Sequence, residues 1–164
     1  MKQKLFLRVF LLLCIGNRTT FIEAQIPTRI IVNPGFESPI MGCGSPSYSF
    51  YPQSSVPGWK TLDSVPAPTV NCGTSGSSQP YLIELWGNGF NSKASHTGSQ
   101  FAEINASAAT FLYQEICVIA NEVVPFSLYH LKRTSSTEQM AAELKMPNNS
   151  NIATASTHSA TTAW

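Results

Sequence analysis

The sequence predicts an all-β domain, a sandwich or jelly roll, and three features carry that expectation. Short runs of β-branched and aromatic residues recur along the chain. Gly- and Pro-containing turns separate them, as at Asn33-Pro34-Gly35, Val56-Pro57-Gly58, Gly87-Asn88-Gly89 and Thr97-Gly98-Ser99. No stretch repeats apolar residues at a helical period between recognisable caps. Many short strands, turn punctuation and no helices are the pattern of a sandwich.

The expected strands are residues 29–32, 59–61, 81–86, 101–105, 111–118, 124–131 and 140–145. Residues 81–86 are almost wholly apolar, which suits a strand covered on both faces. Residues 140–145 alternate best: Met140, Ala142 and Leu144 fall on one face, Ala141, Glu143 and Lys145 on the other. Residues 42–55 and 65–79 carry no strand pattern and read as long loops, the usual place for binding on a β scaffold. From Pro147 the chain is rich in Asn, Ser, Thr and Ala, and it stops at Trp164 where residues 161–164 read as the opening of a further strand, so the expectation is a domain lacking its last strands.

The amino terminus reads as an export signal over residues 1–24, followed by one domain over 25–164. Lys2, Lys4 and Arg8 supply the positive charge, Leu5, Phe6 and residues 9–15 the short apolar run, and Ala24 a small residue at the cleavage point. That run falls short of the ~20 residues that span a bilayer, so no membrane span is expected. A secreted or cell-surface location agrees with the charged share of 12%, about half the ~25% of ordinary globular domains. Beyond residue 24 the chain holds six basic and eight acidic residues with no basic run. Nucleic-acid binding needs such a footprint and is excluded as an expectation.

Three cysteines follow the leader: Cys43, Cys72 and Cys117. Cys43 and Cys72 sit in Gly- and Ser-rich loops and Cys117 in an apolar strand, so Cys43 is expected to bridge to Cys72, with Cys117 a buried thiol. No Cys-x-x-Cys or His/Cys cluster suggests zinc. Hydrolase chemistry also lacks a signature: Gly-x-Ser-x-Gly is missing, and nothing marks Glu84 or Glu103 as acid or nucleophile.

Five segments in order give the chain a likeness. They are Asn33-Pro34-Gly35-Phe36-Glu37-Ser38-Pro39, Val56-Pro57-Gly58-Trp59, Ile83-Glu84-Leu85-Trp86, residues 98–106 from Gly98-Ser99-Gln100 onward, and Leu112-Tyr113-Gln114. Together they resemble galactose-binding-like jelly-roll modules of secreted bacterial surface proteins of the Bacteroidetes type, many of them adhesins. More distantly they are similar to carbohydrate-binding modules and plant cell-wall proteins of the same fold. The likeness covers residues 30 to about 163, and it departs at His130-Leu131-Lys132-Arg133, where only His130 and Arg133 match a His-Arg-Gly-Arg pattern.

The resemblance implies a non-catalytic carbohydrate-binding or adhesion module whose partners are a glycan or neighbouring surface protein domains. A structural spacer of a larger surface protein and an accessory domain of a secreted glycoside hydrolase stay open beside it. The expected ligand-binding residues are Trp86, as a stacking platform, with Glu84, Glu103, Asn105, His130 and Arg133 as hydroxyl partners. The competing reading makes Trp86 a core group and the other five an internal network fixing strand register. In similar carbohydrate-binding modules the region of Glu37 contributes to a structural calcium site. Calcium needs six to eight oxygens, and Glu37 alone is a thin start, so no cofactor is expected beyond that lesser reading.

Overall fold

The computed structural model describes residues 2–10, 30–44, 46–71, 74–118, 123–133 and 138–159. Among them are ten strands and two single turns of 3-10 helix, so the chain is all-β. In order the strands are β1 (Lys2–Phe10), β2 (Tyr48–Pro52), β3 (Lys60–Thr61), β4 (Ala67–Asn71), β5 (Thr74–Gln79), β6 (Leu82–Gly87), β7 (Gln100–Glu103), β8 (Leu112–Cys117), β9 (Gln139–Lys145) and β10 (Asn151–Ser159). They form a five-stranded sheet in the order β10-β9-β1-β8-β3, a three-stranded sheet β2-β6-β7, and the hairpin β4-β5. No described helix is long and apolar enough to cross a membrane.

The apolar strands lie where their patterns put them. Every residue of β6 is buried, as a continuous apolar run in a central strand requires. Ile83 and Leu85 pack with Val56, Trp59 and Leu112, which joins β6 of the small sheet to β8 of the large one. A second cluster of Phe50, Ala67 and Leu82 seats the hairpin against β2 and β6. In β9, Met140, Ala141 and Ala142 are all buried, so the dry-and-wet alternation gives way at its start to a strand covered on both sides.

Several expectations need correction. Residues 42–55 contain β2, whose Ser49 is fully buried beside Phe50; a small Ser fits under a neighbouring sheet without an apolar signal. Residues 65–79 form the hairpin β4-β5, with Thr69 Oγ1 donating to the Ser77 carbonyl at 2.7 Å. Asn151–Ser159, a polar stretch in which no strand was expected, pairs antiparallel with β9. Conversely, residues 124–131 form no strand beyond an isolated bridge at Leu131. Pro125 has no N–H to give a ladder, and Phe126 and Tyr129 point outward. Ile30–Val32 also lack a ladder, because the Val32 backbone is held by a side chain instead. Lys2–Phe10 is β1, parallel to both its neighbours.

Cys117 is exposed rather than buried. It ends β8 beyond the two residues that β3 pairs. The Cys43 Sγ accepts from the Ser47 Oγ–H at 3.2 Å. Cys72, its expected partner, lies outside the described residues.

Candidate functional site

Residues 32–41, Trp59, Ser99, Gln100 and Gln114 meet in one clasp. Phe36 stacks on Trp59 at 4.5 Å between ring centroids. The Trp59 indole N–H donates to the Asn33 carbonyl at 2.9 Å. Gln114, buried on β8, accepts from the Val32 N–H at 3.0 Å and donates to the Val32 carbonyl. One side-chain amide thus replaces a strand's pair of backbone groups. Gln100 does the same for the next turn: its amide donates to the Phe36 and Pro39 carbonyls and accepts from the Met41 N–H at 3.1 Å.

Glu37 closes the clasp. Its carboxylate accepts from Ser99 N–H at 3.0 Å, Ser99 Oγ–H at 2.6 Å and Gln100 N–H at 3.3 Å. These are donors, whose positive ends repel a cation, so the arrangement runs against the calcium expectation for Glu37. No group of three or more His, Cys, Asp and Glu that would hold a metal ion forms among the described residues. Gly98 lies directly under this carboxylate at φ +74°, and an added Cβ would meet Glu37 Oε1 at 2.2 Å. Gly98→Ala is therefore expected to push Glu37 off Ser99 and cost about 1–2 kcal/mol. Urea denaturation of Gly98→Ala, Glu37→Ala and the pair reads this: once Glu37 is truncated, the added cost of the Ala at 98 falls to the backbone part alone.

The second assembly is polar and lies on the small sheet. Glu84 on β6 and Glu103 on β7 are directly opposed across the antiparallel pair. Like charges in that position repel. Burial is the larger cause, and it raises the Glu84 carboxyl from 4.5 to about 7. The Trp86 indole N–H, donating to Glu84 Oε1 at 2.7 Å, and the charge of Arg133 work against this rise, while Glu103 adds to it. Burial also raises Glu103; Arg133 and the Asn105 N–H oppose the rise and Glu138 adds to it. Glu138 in turn accepts from the Arg133 N–H at 2.8 Å. The charge of Arg133 thus acts on both Glu84 and Glu103, while Glu138 holds the Arg133 backbone.

Glu103, His130, Arg133 and Glu138 line one cavity of ≈ 620 Å³, whose remaining wall is largely apolar and includes Phe36, Trp59, Trp86, Phe101, Leu112 and Met140. At its rim the ring of Tyr129 stacks on His96 at 3.4 Å between centroids, and Tyr129 stays 63% exposed.

Of the six residues expected to bind ligand, Trp86, Glu103, His130 and Arg133 reach the cavity. Trp86 is only 3% exposed, with Phe90 and Phe101 edge-on to its ring. It offers no face to a sugar and instead holds Glu84. Glu84 and Asn105 lie outside the lining. Asn105 donates its N–H to Glu103 at 3.3 Å, and its buried Oδ1 has no hydrogen-bond partner. Sequence reasoning missed Glu138, His96 and Tyr129. Tyr129 was taken as one residue of a strand; the nearby Pro125 was the signal that this segment leaves the ladder and frees its aromatics for the surface.

No family model, no curated protein and no solved structure matches the chain.

Proposed function

We propose that the protein is a non-catalytic glycan-binding module of an exported or cell-surface protein, built on a jelly-roll plan with Cys43 bridged to Cys72. The observation that carries the reading is the cavity's division of labour. Its rim presents the Tyr129 ring, backed by His96, as an exposed aromatic face. In the same lining, Glu103, Arg133 and Glu138 gather donors and acceptors at one place. A sugar needs both: an aromatic face for its C–H surface and fixed polar groups for its hydroxyls.

The carboxyl pair argues for binding rather than turnover. A glycosidase needs two carboxyls flanking the scissile bond, and Glu84 sits behind Trp86, 7% exposed and outside the cavity lining. Glycan-array binding of the purified chain tests the proposal. Tyr129→Ala and Arg133→Ala should each weaken the bound glycan by about tenfold or more, roughly 1–3 kcal/mol, with the fold retained. An array without a reproducible ligand favours the spacer reading. Glycoside hydrolysis that disappears in Glu103→Gln refutes the non-catalytic one.

A further inference from the structure

β8 and β9 do not pair with each other, because β1 lies between them and runs parallel to both. On one side the register runs from Phe6 opposite Tyr113 to Phe10 opposite Cys117. On the other it runs from Lys2 opposite Gln139 to Arg8 opposite Lys145. Phe6, Leu7 and Arg8 are paired on both sides at once. Adjacent strands lie about 4.8 Å apart, so without β1 two backbone edges would face each other across roughly 10 Å, the width of one strand. The sheet would be left as two two-stranded pieces: β10 with β9, and β8 with β3, the latter joined only through Lys60 and Thr61. Such ribbons are marginal alone, and their unpaired N–H and C=O groups invite another strand.

The strand in this gap is also the front of the segment read as an export leader. We propose that the gap between β8 and β9 is a strand-acceptor site, filled by β1 in the full chain and, once the leader is removed, by an extended apolar segment of a neighbouring protein chain running parallel to both strands. The proposal rests on the export reading. Main-chain hydrogen bonds to two edges at once supply the affinity. The apolar preference follows from the resident sequence, Leu5-Phe6-Leu7 and Val9-Phe10, and from the flanking residues Leu112, Met140 and Ala142, which are buried and line the apolar cavity. A second copy of the processed protein has lost this segment, so the donor is a different chain.

The test uses the full chain with a site-specific protease sequence placed within residues 11–29 and cut after folding. The probe is a labelled synthetic peptide with the sequence of Lys2–Phe10. The expected result is saturable uptake of one peptide per chain with release of the resident segment. A peptide of reversed sequence, which has the same composition but the wrong direction, should bind at least ~10-fold more weakly. No uptake, or equal uptake of the reversed peptide, overturns the proposal. So does a full chain that runs as a dimer and trades β1 between copies, which would assign the gap to a second copy. Amino-terminal sequencing of the exported protein separates the remaining failure: if Lys2–Phe10 is retained, β1 keeps the gap permanently and the strand-acceptor role falls, whereas the glycan array still judges the Tyr129 and Arg133 site on its own.

Discussion

The melting temperature is expected to fall as the pH rises from about 4.5 to 7, and Glu84→Gln should remove most of that fall. The Glu84 carboxyl is raised to about 7 in the folded chain from an ordinary 4.5. Between those values the folded protein holds a proton that the unfolded chain gives up. Stability from this group is therefore complete below about 4.5 and is lost as the pH passes through about 7. The shift corresponds to about 3 kcal/mol, on the order of 10 °C in melting temperature for a chain of this size. Gln at 84 keeps an oxygen for the Trp86 indole N–H and carries no charge at any pH. The variant should match the parent near pH 4 and be the more stable above pH 7. Calorimetry at a series of pH values checks this. Glu103 is shifted in the same direction, so a smaller slope should survive in Glu84→Gln. A parent whose stability climbs from pH 4.5 to 7 would show that both carboxyls are ionised where they lie.

Gln114→Ala is expected to cost about 3 kcal/mol. The side chain is 2% exposed and holds both backbone groups of Val32. Truncation unpairs them and leaves a void on the side of Gly58, where an added Cβ would meet the same amide at 3.0 Å. Gln114→Glu separates the two roles: a carboxylate still accepts from the Val32 N–H but repels the Val32 carbonyl. It should recover part of the loss at most. Hydrogen exchange at the Val32 amide, read beside urea denaturation, distinguishes the outcomes. Protection at Val32 should vanish in the Ala variant even under conditions where β6 remains protected.

Where side chains carry an apolar signal, the sequence disclosed the fold. β6 followed from a continuous apolar run, which burial on two faces leaves in composition, and β9 from an alternation, although Met140, Ala141 and Ala142 are all buried. β5 and β10 were hidden because Ser, Thr and Asn dominate them, and such residues enter strands when backbone pairing and a neighbouring layer do the holding; β2 was hidden because its aromatic run is short and ends in Pro52. The opposite error at residues 124–131 came from weighing Val, Phe, Leu and Tyr above a single Pro125. The site was legible in its charged residues and not in its aromatics. Glu103, His130 and Arg133 do share one cavity, whereas Trp86 turned inward. Glu138 has no motif around it; it joins the site by accepting from the Arg133 N–H. The Gln100 and Gln114 roles were invisible for a related reason. A glutamine that imitates backbone looks, in sequence, like any polar residue between strands.

The clasp also sets the order in which the chain must assemble. Gln114 reaches back 82 residues to Val32, and Glu37 reaches forward 62 residues to Ser99. Neither contact rewards the chain until a long loop has been closed, and closing such loops is the slow part of folding for β topologies. The turn around Asn33 has no ladder of its own to wait in. It docks only after β7 and β8 present Ser99, Gln100 and Gln114 in place. Stacking of Phe36 on Trp59 is then a late event in refolding, and Trp59 is its natural reporter: the hydrophobic centre gathers first, and the amino-terminal turn locks over it last.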